Sequence, residues 1–137
     1  MLMNSGNPAA AYRSAGIEAE ALGTSPHGLI TMLFDGALLS INLAKAHMLE
    51  HKTVQKAESI NKAIDIIGSG LRAALNIKDG GELANNLDQL YEYVIMQLVK
   101  ANMNNDPALL DEAFQLLDQL ADAWKQIGHA QRAGTPA

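Results

Sequence analysis

Histidines are the side chains in this sequence best suited to chemistry, and His47 and His51 sit one helical turn apart. Such a pair can share a metal, but a site needs a third ligand, and Glu50 lies on a different azimuth. An exposed histidine on a helix can also accept a phosphoryl group, so His47 or His51 suits a phosphotransfer bundle. A net acidic chain does little to receive that group. His27 follows Ser25-Pro26 with no nucleophile partnered to it. Asp79-Gly80-Gly81 lacks the Lys-Ser/Thr that completes a phosphate loop, so it reads as a turn. Asp118 and Asp122 fall on one polar helical face, and the Glu-x-x-His pairs of di-iron bundles are missing. With no cysteine in the chain, thiol nucleophiles, disulfides and Cys-based metal sites are excluded. The expectation is a protein without catalysis, cofactor or metal.

Composition narrows the partner as well. Of 137 residues, 15 are acidic and 10 basic, a net charge of −5. Nucleic-acid binding wants a basic patch that releases counterions from phosphates. Lys52, Lys56 and Lys62 are interleaved with Glu50, Glu58 and Asp65, and read as a solvated surface of mixed charge. No signal-peptide pattern opens the chain and no 18 apolar residues run together, so no membrane insertion and a cytoplasmic location are expected. Hydrophobic residues make up 48% but aromatics only 4%, so Leu, Ile, Ala and Met must fill the core, a mix that favours helices.

Local punctuation sets the elements. Ser25-Pro26 and Asp106-Pro107 are caps followed by proline at a first helical position, Thr53 is a further cap candidate, and Asp79-Gly80-Gly81 is a break. The spacing predicts long helices near 26–50, 54–77, 82–103 and 107–128, each roughly 33–38 Å long. Short connections force antiparallel neighbours, giving an all-α, up-down-up-down four-helix bundle. A short N-terminal helical arm or cap occupies 1–25, and a flexible tail 129–137.

Core stripes at 100° steps run through Leu29, Leu33, Ala37, Ile41, Ala44 and Met48 on the first long helix. Ala57, Ile60, Ile64, Ile67, Leu71 and Ala74 serve the second. Leu83, Leu87, Leu90, Val94, Leu98 and Ala101 serve the third, and Leu109, Ala113, Leu117, Leu120, Trp124 and Ile127 the fourth. Apolar residues are left over in order: Met32, Gly36, Leu39, Leu43 and Ala46 on the first helix, then Ala63, Ile66, Gly70, Ala73 and Ile77 on the second. Met96, Val99 and Met103 repeat the pattern on the third. Two readings stand: a wider core face, or a second seam whose small residues leave depressions for another segment's anchors. Methionine adapts to varied partners, which suits the second.

Read continuously from about Pro8 to Ile127, the chain resembles the FliS family of flagellin-export chaperones. The likeness rests on Ala11-Tyr12-Arg13, on Thr24-Ser25-Pro26 with Leu29-Ile30-x-Met32-Leu33-Phe34-Asp35-Gly36-Ala37, and on Asn61-Lys62-Ala63 with Ile66-Ile67. It continues through Gly80-Gly81-Glu82-Leu83-Ala84-Asn85-Asn86-Leu87, Leu90-Tyr91-Glu92-Tyr93, Ala101-Asn102, Asp106-Pro107, Leu110-Asp111-Glu112 and Trp124-Lys125. The resemblance implies a bundle that binds the disordered C-terminal segment of flagellin, prevents its premature polymerisation and meets a flagellar export gate component. Met32, Gly36, Leu39, Leu43, Ala63, Ile66, Gly70 and Ala73 are the expected contacts. Tyr12 and Ile17 are expected to cover part of the groove when it is empty, although Tyr12 equally suits plain packing. Phe34 stands where the family often has tyrosine, and Met96-Gln97 where it often has basic residues. A monomer or weak homo-oligomer is expected, and the competing reading is a histidine phosphotransfer-type bundle or another helical adaptor.

Overall fold

In the computed structural model residues 25–132 are described, and they form an all-α four-helix bundle. Helix α1 spans Pro26–Leu49, α2 Thr53–Asp65, α3 Ile77–Asn104 and α4 Pro107–Arg132. A π-helical turn, Ile66–Arg72, prolongs α2. Helix α1 packs between α2 and α4, and α3 closes the ring against α4 and the α2–π segment.

The caps follow from residue chemistry. The Ser25 side chain accepts from the Gly28 N–H at 3.0 Å, and Pro26 takes a position where a missing N–H costs nothing. Asp106 Oδ1 accepts from the Ala108 N–H at 3.0 Å and starts α4. Thr53 is not a cap: Lys52 holds that position with no side-chain hydrogen bond, and Thr53 is the first helical residue.

Helices α1 and α3 end alike. The Lys52 N–H reaches the His47 carbonyl at 2.9 Å and the His51 N–H reaches Met48 at 3.2 Å, with His51 left-handed at φ 59°. At the end of α3, the Asp106 N–H reaches the Ala101 carbonyl at 3.2 Å and Asn105 has φ 51°. Both are αL helix stops, one built on histidine and one on asparagine where glycine is usual.

Three boundaries differ from the expected ones. The second long helix does not stay α-helical to 77, because its last turns widen into the π segment that carries Gly68 and Gly70. The third begins at Ile77 with a single turn, then breaks at Gly81 (φ 58°, ψ −133°) before its long run. The fourth continues through Gly128 to Arg132. Gly128 lies inside the helix and serves close approach, since a Cβ there would run into the His27 ring.

Phe34, Ile41, Ile60, Ile67, Leu71, Val94, Leu98, Leu110 and Leu117 are fully buried and knit all four helices together. Several stripe residues are not core. Leu83 and Ile127 are exposed near one end of the bundle, where Leu83 follows the Gly81 break. Ala74 is exposed because it falls in the turn after the π segment. Phe34 and Leu38 add to the core of α1, and Phe34 meets Tyr91 at 6.3 Å with rings tilted 52°. Tyr91 is buried and Tyr93 exposed, as their azimuths require.

Candidate partner-binding surface

Helix α1 is long and apolar enough, by length and composition, to cross a bilayer, yet only 33% of its most apolar window is buried. Its inner face lies in the bundle core. On the outer face Met32 is 52% exposed, Leu39 60% and Leu43 45%. These side chains recur over three turns in i, i+4 and i, i+7 relationships, so they form one apolar strip. Full burial of a large aliphatic side chain is worth about 1.5–3 kcal/mol, and leaving these three about half exposed forgoes roughly half of that each. A strip of this kind marks an interaction site more often than a scatter of single residues does.

The strip is bounded by different chemistry on its two sides. Toward α4 it is charged: Lys125 Nζ reaches Asp35 Oδ1 at 3.1 Å, and Lys45 Nζ reaches Asp111 Oδ1 at 2.7 Å. Toward α2 it is apolar and tightly packed. A Cβ on Gly36 would be 3.5 Å from Ile66 Cδ1, and one on Gly70 would be 3.2 Å from Leu33 Cδ1.

That packing closes the expected depression at Gly70, whereas Gly36 stays half-buried with Ile66 at ordinary contact distance. Leu33 lies over Gly70, and the small residues let α1 and α2 approach closely. Ala63, Ile66 and Gly70 are accordingly buried inside the bundle and do not line an open groove in this structure. Met32, Leu39 and Leu43 lie outside, Gly36 is half-buried between them, and Ala73 is exposed at the far end of the π turn. Tyr12 and Ile17 lie outside the described residues.

A second apolar patch lies on α3, where Tyr93, Met96 and Met103 are exposed and Val99 is half-buried. Its edge toward α4 is polar: the Tyr93 hydroxyl donates to Glu112 Oε2 at 3.3 Å, and the buried Gln97 amide donates to Glu112 Oε1. Partial desolvation, then the Glu112 charge, raises the Tyr93 pKa above its ordinary value. On the other edge Arg72 grips Asp88 through two hydrogen bonds, 2.8 and 3.1 Å, which lowers the Asp88 pKa and ties the π turn to α3.

The histidines diverge. His51 occupies the left-handed stop of α1 and is exposed, whereas His47 is half-buried with its Nδ1 enclosed and unpartnered. Among the described residues no three His, Cys, Asp or Glu side chains converge as metal ligands would.

Lys56 corrects the expectation of a solvated, mixed-charge surface. Far from being a solvated surface group, it is 4% exposed, and its Nζ donates to the Asn102 carbonyl at 3.1 Å and to Asn105 Oδ1 at 2.7 Å. The signal was present: Lys56 precedes Ile60 by four and Ala63 by seven, on the core azimuth of α2.

Comparison with known proteins agrees with this architecture. The family described as "Flagellar protein FliS" matches residues 8–131. The chain is 44% identical to the flagellar secretion chaperone FliS of Salmonella typhimurium over 117 residues, 85% of this chain and 87% of that one. It is 46% identical over 118 residues to the flagellar secretion chaperone FliSB of Pseudomonas aeruginosa, covering 86% and 93%. With the Bacillus subtilis FliS chaperone it shares 32% over 126 residues, covering 92% and 90%. Helix content, helix order and nearly full-length identity converge on one conclusion: this chain belongs to the FliS family of flagellar secretion chaperones.

Proposed function

We propose that the outer face of α1 docks the disordered C-terminal segment of flagellin. The protein acts without catalysis in the cytoplasm, masking that segment and delivering it to the flagellar export gate. The observation that carries this reading is the strip of Met32, Leu39 and Leu43, exposed on a helix whose opposite face is already committed to the core. Gly36, half-buried within the strip, leaves low relief there, and exposed Ala73 after the π turn is taken as a further contact.

The physics suits a disordered client. Ordering each backbone residue costs about 1–2 kcal/mol, so the segment must bury apolar anchors along an extended path. An amphipathic helix laid on α1 can do this with anchors three, four and seven residues apart, a period that suits the seven- and four-residue steps of the strip. Much of the gross interaction energy is spent on ordering, which leaves an affinity low enough for release. The masked client segment is then unavailable to other flagellin copies, which prevents premature assembly.

The test is co-migration on size exclusion with a flagellin C-terminal segment from the same organism. Leu39→Glu and Leu43→Glu are expected to abolish the complex while shifting stability by no more than about 0.5 kcal/mol. Retention of the complex by both variants would remove α1's outer face from the account.

A further inference from the structure

Where α1 ends and α2 begins, and where α3 passes into α4, a cleft of about 510 Å³ opens whose lining includes Met48, His51, Lys52, Lys56, Asn105 and Pro107. It lies at the C-terminal end of α1, beyond the exposed strip. Lys56 reaches Asn105 within it. Its ammonium has three N–H donors and spends two of them on neutral acceptors, the Asn102 carbonyl and Asn105 Oδ1. Among the described residues Lys56 takes part in no ion pair, so a buried positive charge stands there without a counter-charge. Burying a charge is costly unless it is paired.

The surroundings deepen that imbalance. His51 and Lys52 add donors, and no carboxylate is part of the lining. The nearby acids are already engaged: Glu50 Oε1 is 3.2 Å from Lys52 Nζ, and Asp106 Oδ1 accepts from the Ala108 N–H. Helices α2 and α4 both start at this cleft, and neither has an acidic residue in its first turn. The positive dipole end of α2 is uncompensated, since it lacks even a capping side chain, whereas Asp106 caps α4. Met48 and Pro107 supply apolar wall, which suits an anion carried on a short aliphatic stem better than a fully hydrated inorganic ion.

We propose that this cleft is a carboxylate-binding subsite that takes the acidic side chain of a partner peptide. The carboxylate accepts the third Lys56 N–H, the His51–Lys52 turn closes over it, and its methylenes lie on Met48 and Pro107. It is separate from the α1 strip and does not depend on what docks there.

The test is an NMR titration of the full-length 15N-labelled protein with N-acetyl-glutamic acid amide, and separately with inorganic phosphate. The expected result is saturable shifts confined to amides between His51 and Lys56 and around Asn105, in the millimolar range for so small a probe. Lys56→Met is expected to weaken that binding at least about tenfold. Asn105→Gly suits the left-handed backbone, releases one ammonium N–H, and is expected to hold or tighten binding. Absence of saturation, shifts spread over the remaining lysines, or saturation by phosphate alone overturns the proposal. Undiminished binding by folded Lys56→Met does the same. If Lys56→Met does not fold, Asn105→Gly decides: weaker binding rejects the subsite, and equal or tighter binding supports it.

Discussion

The Trp124 indole donates its Nε1–H to the backbone carbonyl of His27 at 3.1 Å, while the two rings stack 4.3 Å apart at an interplanar angle of 14°. This contact fastens the first turn of α1 to α4, and therefore holds the start of the apolar strip in place. It depends on Gly128, whose missing side chain leaves room for the His27 ring. Gly128→Ala is expected to displace that ring and cost about 1–3 kcal/mol through overpacking. Trp124 is the only tryptophan, so its emission spectrum should shift in the same variant. An unchanged spectrum and melting temperature would show that the stack is not a fastening point.

The stop of α1 offers a prediction of opposite sign. His51 is held at φ 59°, a conformation that costs a side-chain-bearing residue about 1–2 kcal/mol. His51→Gly is expected to stabilise the protein by about 1 kcal/mol, since the Lys52 and His51 N–H bonds to α1 remain. Chemical denaturation measures this directly, and a destabilised variant would mean that the imidazole makes a compensating contact.

Much of the fold was legible because its signals are local. Ser25-Pro26 and Asp106-Pro107 mark helix starts through hydrogen bonds spanning two or three residues, and those caps form. The opposite orientations of Tyr91 and Tyr93 follow from azimuth alone. What depends on neighbours in space was harder to read. Nothing local says that Leu33 settles over Gly70, which turns an expected depression into a helix–helix contact and buries Ala63, Ile66 and Gly70. Leu83 continues the core stripe by spacing but follows the Gly81 break and stays exposed. Lys56 was misread because charge suggested solvent, although its register pointed inward.

Stability should also depend on alkaline pH, with buried Tyr91 the group most strongly shifted. Burial pushes the Tyr91 hydroxyl up from its ordinary value of 10.0 to about 12. Because the folded pKa lies above the unfolded one, this contribution is fully present below pH 10 and is lost as pH rises toward 12. The expected slope is about 1.4 kcal/mol per pH unit in that window. Tyr91→Phe should flatten the unfolding free energy there by one proton's worth, whereas identical slopes would mean that the hydroxyl is not desolvated.

Two further substitutions probe the strip without touching its large residues. Gly36→Arg places its Cβ at an ordinary 3.5 Å from Ile66 Cδ1, so the helix should accept it while the guanidinium crosses the docking face. Ala73→Glu adds charge at an exposed position. Both are expected to keep helicity and melting nearly intact and to weaken client binding about tenfold or more. Normal binding by both would move the docking path off this side of α1.

Whether the apolar strip docks a disordered client is read by isothermal titration calorimetry of the protein against the C-terminal segment of flagellin from the same organism. Saturable one-to-one binding with a negative heat-capacity change is expected, the signature of a disordered chain folding onto apolar surface. Leu39→Glu is expected to remove the signal. No heat at any temperature from folded protein and the correct segment, together with no co-migration, would contradict docking on the strip.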